Sequence, residues 1–417
     1  MMPNGRSLAV INALLWDGTG RDPETRRLIE VREGRIARIA PLEGSAPLRD
    51  LPVLDADGRF VMPGLLDCHV HLIYCRFGSL SEIDQWPLEY HTLRAAENAA
   101  TILSYGYTTV RDVGTRGAIA SAVRDAIDHG LVPGPRVLAS GPIICSEGGH
   151  ADSTPPWMRN EVSLAVTVNG VDEVRKAVRT QAKQGVDNIK VGITGAEASP
   201  YVTTEQTAFS PEELNALVDE ARRFGKTVAC HAQSYLGARM AVAAGVTTIE
   251  HGTRMDDETI ARLAAAEDTY LVPTLCTIYS FLDLSKNKKA VDEMRINEPI
   301  WLDSLRRARA AGVKIAVGSD LGNRYLQGEQ AIELELLVQH GFTPREALLA
   351  ATRTAARAMH VADRVGTLEA GKYADLLVLN ANPLADIGIL RRRAQIHRVV
   401  KGGLVLTPAE LAPEVVR

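Results

Sequence analysis

The sequence is poor in several things that mark other classes of protein. It has five cysteines among 417 residues. An odd and sparse set supplies no disulfide framework, so free thiols and a reducing cytoplasm are expected. No run of about 18 apolar residues occurs, so no membrane span is expected. The opening "MMPNGRSLAVINALLWDGTG" lacks the charged, apolar and small-residue succession of a secretion signal and reads as a strand almost from its start. The formal net charge of −4 advertises no basic face, and nucleic acid is not expected as a partner. Aromatic residues are 5% of the chain, too few to mark an interface. What remains is the composition of an ordinary globular enzyme, 46% hydrophobic and 24% charged, on a chain long enough for two domains.

Both ends of the chain are β-rich. Short apolar runs such as "SLAVINALLW", "RRLIEVREGRIARIA" and "LPVLDADGRFVMPG" fill the first sixty residues, and Arg32-Glu33-Gly34 between two of them predicts a tight hairpin. "GTLEAGKYADLLVLN" and "IHRVVKGGLVL" repeat the pattern in the tail. Neither segment can build a core alone. Pairing them gives one small β-sandwich domain from residues 1–60 and 366–417.

The middle, residues 61–365, alternates strand-like runs with amphipathic helical patterns. The runs are "FVMPGLLDCHVHL", "TTVRDVG", "RVLASG", "NIKVGI", "TVACHAQ", "TTIEHG", "TYLVPTL" and "KIAVGSD". Ser210-Pro211-Glu212-Glu213 is a strong helix start, with a hydroxyl cap and proline in the first turn. Eight strand-then-helix units predict an α/β fold, a (β/α)8 TIM barrel. Four connections read as long loops, 73–90, 142–170, 194–209 and 276–297. They carry Trp86 and Trp157, expected to shape a pocket.

Within the first barrel strand lie His69 and His71. Residues two apart on a strand share a face, so the two imidazoles can hold one metal ion. Partners stand in other strands: Lys190 in the fourth, His231 at the end of the fifth, His251 at the end of the sixth, Asp320 at the end of the eighth. Chemistry in such barrels sits where strands end. A lysine inside an apolar strand is unusual, since burial penalises the ammonium and lowers its pKa. The neutral amine can add carbon dioxide and become a carbamate, a carboxylate able to bridge two cations. His91, His129, His340, His360 and His397 lack this placement and read as structural or surface residues.

This set resembles the amidohydrolase superfamily in its binuclear, lysine-carbamate form. "VMPGLLDCHVHL" is similar to the first-strand motif of that family, and "GTLEAGKYADLLVLN" to its closing motif. "SEGGHADS", which carries His150, and "HAQSYLGARMAVAAGVTTIEHGT" are similar to the imidazolonepropionase-like and prolidase-like group. The resemblance implies two divalent ions. His69 and His71 with Asp320 would hold one, His231 and His251 the other, and carbamylated Lys190 would bridge them. Zinc suits these donors, while manganese, cobalt and iron remain open. It further implies hydrolysis of an amide in a dipeptide or N-acyl amino acid by a metal-bridged hydroxide. Asp320 would act as base and then acid, and His150 and Tyr235 would touch the substrate. Arg324 is a candidate partner for a substrate carboxylate. A homo-oligomer is expected on the same ground. Hydrolysis of carbamates, phenylureas or related small amides is the alternative. A lactonase or deaminase, or a barrel without catalysis, is the more distant one.

Overall fold

The computed structural model describes residues 6–43, 50–75, 80–158, 162–322 and 325–412. The first strands are β1 (Leu8–Leu15), β2 (Glu24–Arg32), β3 (Arg35–Pro41), β4 (Val53–Asp55) and β5 (Phe60–Pro63). Then come β6 (Leu65–Val70), β7 (Tyr107–Asp112), β8 (Arg136–Leu138), β9 (Ile143–Cys145), β10 (Ala165–Thr167), β11 (Asn188–Gly192), β12 (Thr227–Ala232), β13 (Thr248–His251) and β14 (Tyr270–Val272). The last are β15 (Leu376–Leu379), β16 (Ile396–Lys401) and β17 (Leu404–Leu406).

The two chain ends meet in one eight-stranded sheet, ordered β17-β16-β15-β5-β1-β2-β3 with β4 beside β1. Val10, Ile29, Val61, Leu376 and Val378 pack one core on it. The expected hairpin is present. Glu33 and Gly34 both take positive φ, 50° and 80°, the geometry of a two-residue turn that follows the strand twist.

β6 to β14 form two wholly parallel sheets, β6-β7-β8 and β10-β9-β11-β12-β13-β14. Their strands are buried along their length wherever they carry the site, as parallel strands covered by helices must be. Backbone bonds link the two sheets. Asp187 and Asn188 donate to the Ala139 carbonyl at 2.7 and 3.2 Å. Residues 314–320, expected as the eighth strand, form a single parallel bridge, Ile315 to Leu271. On the other side of this segment Cys68 donates to Val317 and Asp320 donates to His69, at 2.9 and 2.8 Å.

The helices follow the expected patterns. Pro211–Arg223 begins with a full capping box, Ser210 and Glu213 each closing on the other's backbone. Residues 276–297 correct the sequence reading. They are not a loop but most of the helix Leu275–Leu284 and the start of Lys288–Ala310. Leu275–Leu284 is apolar nearly all round, which hides the helical period. Trp86 and Trp157 are also placed differently. Both are exposed, and neither lines the cleft described below. Arg324 lies outside the described residues. None of the helices described is long and apolar enough to cross a membrane.

Candidate active site

Six side chains predicted from strand ends line one cleft of about 770 Å³, its open mouth included: His69, His71, Lys190, His231, His251 and Asp320. His150 joins them. β6 carries His69, and His71 follows its last residue, Val70. Donor atoms of His69, His71 and Asp320 lie within 4.8 Å of one another. Asp320 Oδ1 is 3.6 Å from His69 Nε2 and 3.4 Å from His71 Nε2.

Hydrogen bonds choose which ring nitrogen faces the cleft. His69 donates from Nδ1 to Glu250 Oε2 at 2.6 Å, and His71 from Nδ1 to the Gly114 carbonyl at 2.9 Å. Both Nε2 atoms are thereby left as lone-pair donors. His231 is reversed. Its Nε2 donates to the Gly195 carbonyl at 2.9 Å, and its Nδ1 is buried without a partner. His251 Nδ1 lies 2.6 Å from Thr274 Oγ1. Behind His69, Glu250 also accepts from Arg111 at 3.0 Å and from Thr248, all of them buried.

Backbone strain aims three of these groups. His251, Thr274 and Asp320 have φ of 72°, 48° and 53°, a region rarely adopted by residues other than glycine. Glycine serves one close approach. A Cβ at Gly192 would sit 2.5 Å from the Cβ of His150, so a bare backbone at the end of β11 lets that ring reach the cleft. The His150 ring stacks on His231 at 3.8 Å between centroids.

The electrostatics suit cation ligands. Burial is the largest cause holding His69, His231 and His251 well below the ordinary imidazole value, and it takes His71 down to about 3. Neutral rings are the ligand form. Burial also lowers the Lys190 amine, whose Nζ has no hydrogen-bond partner. An unpaired buried amine, an unpaired imidazole nitrogen and a nearby histidine–aspartate cluster form a donor set that fits two divalent ions and a lysine carbamate.

Tyr235 is placed apart. It opens the helix Tyr235–Ala244, is half exposed and does not line the cleft. The five other histidines hold no place there either. His91, for instance, bonds the Ile83 carbonyl at 2.8 Å, and His340 pairs with the Tyr279 hydroxyl. Glu250, Arg111, Thr277, Glu197 and Gln233 belong to the site or its support and were not singled out from the sequence.

A model of the amidohydrolase family matches residues 60–406. The chain belongs to the amidohydrolase family. Among curated relatives, ochratoxinase of Aspergillus niger is 31% identical over 386 residues, covering 85% of this chain and 77% of that one. Imidazolonepropionase of Stenotrophomonas maltophilia is 26% identical, covering 94% and 95%. Among solved structures, a Xaa-Pro dipeptidase with methionine bound in its active site has a TM-score of 0.86 at 32% identity, covering 96% of this chain and 99% of that one. These likenesses place this amidohydrolase in the imidazolonepropionase-like and prolidase-like group. It is a hydrolase acting on carbon–nitrogen bonds, in a family that generally uses divalent metal ions.

Proposed function

We propose that this amidohydrolase cleaves the amide of a dipeptide or an N-acyl amino acid. The observation that carries the reading is the convergence of four imidazoles, Asp320 and the unpaired Lys190 amine in one cleft. β9 and β10 belong to the connection between β8 and β11. Strands β6, β7, β8, β11, β12, β13 and β14 are taken as seven members of one (β/α)8 barrel, with residues 314–320 as its eighth. The bonds from Leu271 and Cys68 to that segment support this. The terminal sheet is taken as a separate β domain of residues 1–60 and 366–417, carried on by β5 to Pro63 and followed at Gly64 by the first barrel strand.

His69, His71 and Asp320 would hold one ion, His231 and His251 a second, with carbamylated Lys190 between them. When bound, divalent ions there supply acidified water and polarise the substrate carbonyl. The chain does the rest. Glu250 and Gly114 fix the two Nε2 atoms. Thr277 donates to Asp320 Oδ2 at 3.1 Å, leaving Oδ1 turned toward the histidine pair. Asp320 takes the proton of the attacking water and delivers it to the leaving nitrogen, which must be protonated to depart. His150 lies over His231 at the cleft wall, where it can hold the substrate carbonyl or carboxylate. Tyr235 takes no part in this assignment.

The test is a screen of purified, zinc-loaded protein against dipeptides, N-acyl amino acids and neutral carbamates or phenylureas. Turnover of the first two classes, well above the third, is expected. Equal or faster cleavage of the neutral aryl compounds would overturn the substrate reading.

A further inference from the structure

One wall of the cleft has chemistry that metal binding does not use. Glu197 and Gln233 both line it, 3% and 1% exposed. Glu197 lies in the segment after β11, and Gln233 follows His231 by two residues, just past β12. The orientation of the Gln233 amide is fixed through Glu197 from outside the cleft. Arg254 donates to Asn297 Oδ1 at 2.6 Å, which turns Asn297 Nδ2 toward Glu197 Oε1 at 2.9 Å. Gln233 Nε2 lies 3.3 and 3.2 Å from the two Glu197 oxygens. The reverse amide would set oxygen against carboxylate, so Nε2 is the atom that faces Glu197.

Two unmet demands follow. Gln233 Oε1 is buried and accepts nothing. Among the described residues Glu197 receives amide donors but no cation; Arg254, the charge of the network, goes to Glu205 and Asn297 instead. Burial raises the Glu197 pKa, as expected for a carboxyl without a counter-charge. These two side chains thus leave acceptor capacity that no described group meets. A primary ammonium carries three donors and one positive charge, and answers both demands.

We propose that Glu197 and Gln233 form a subsite for a primary ammonium of the substrate. The inference rests on the amide-hydrolase reading and narrows it. The ammonium has two possible sources, the free α-amine of a dipeptide or the side-chain amine of a lysyl residue.

Ketomethylene isosteres, in which carbon replaces the scissile nitrogen, test this without turnover. Calorimetry on the metal-loaded protein compares two matched pairs: the Ala-Leu isostere with its desamino analogue, and propionyl-Lys with propionyl-norleucine isosteres. In one pair the amine-bearing ligand is expected to bind about tenfold more tightly or better, the scale of a charge-assisted hydrogen bond. That pair identifies the source. Glu197→Gln should bring its ratio close to one, and Gln233→Met should lower it a few-fold. Should Glu197→Gln bind neither member, Gln233→Met decides alone. The proposal is overturned by ratios near one in both wild-type pairs, or by a preference that both variants retain. If the preference holds yet no dipeptide or N-acyl amino acid is hydrolysed, the subsite stands and the amide-hydrolase substrate reading fails.

Discussion

The two halves of the cleft floor are built differently. Around His69, His71 and Asp320 the protein's own hydrogen bonds are complete. Each ring is tied through Nδ1, Asp320 is held through Oδ2, and the facing atoms already lie within 4.8 Å of one another. Around Lys190 and His231 the bonding is unfinished. Lys190 Nζ, His231 Nδ1 and His150 Nδ1 are buried with no partner. Each such orphan carries a penalty of about 1–3 kcal/mol unless something else satisfies it. The first half is therefore preorganised by the fold, and the second half is the one whose order should depend on what binds.

The largest break in that comparison comes from Lys190→Ala. If the amine is the carbamate bridge, the variant loses bound metal and turnover together, by about a thousandfold or more in kcat, since the barrier loses both ions' contribution. Metal analysis beside kinetics checks it, and added short carboxylates should restore part of both. Full activity in this variant would remove the bridge. Asp320→Asn acts on the preorganised half. It should retain at least one ion per chain yet hydrolyse about 10²–10⁴-fold more slowly, the range for loss of a positioned acid–base group. Unchanged kcat would take proton transfer away from Asp320.

The same contrast shows what the sequence made legible. Ligand candidates were found because strand period and strand-end position are local patterns, and His69-Val70-His71 or Lys190 among apolar neighbours can be read from a few letters. The rule applied to Lys190, a charge inside an apolar strand, also marks Arg111 in "TTVRDVG" and Glu250 in "TTIEHG". They form an ion pair 139 residues apart, and only the fold pairs them. His251 shows the opposite limit. Period two places it opposite Glu250, and its left-handed φ of 72°, which no spacing reveals, accompanies its turn into the cleft. The helix Leu275–Leu284 escaped because it is buried on most sides, and with it Thr277 and the hydroxyl that holds Asp320.

Glu250→Gln sharpens the comparison at a smaller scale. The amide keeps the shape but withdraws the negative charge shared by His69 and Arg111. Metal affinity should fall about 10–100-fold, as for other groups that orient a ligand from behind. Arg111 is fully buried and would lose its counter-charge, so stability should drop by about 3 kcal/mol, the lower end for a broken buried pair. Chelator titration and denaturant melts separate the two effects. An affinity loss without a stability loss would mean that Arg111 does not depend on this carboxylate.

The smallest expected effect lies across the cleft, at Thr274→Val. Thr274 has φ of 48°, a conformation strained for any β-branched side chain, and valine is β-branched too. The exchange leaves that strain in place and deletes the hydroxyl 2.6 Å from His251 Nδ1. A neutral hydroxyl raises the basicity of a ligand ring less than a carboxylate does, so the affinity loss should be about tenfold, at the low end for such supporting groups. The loss should also fall on the more weakly held of two ions, seen as a change in one step of a two-step chelator titration. Equal losses in Thr274→Val and Glu250→Gln would mean that the two halves are held alike. The difference in bonding between them would then have no bearing on how tightly each binds.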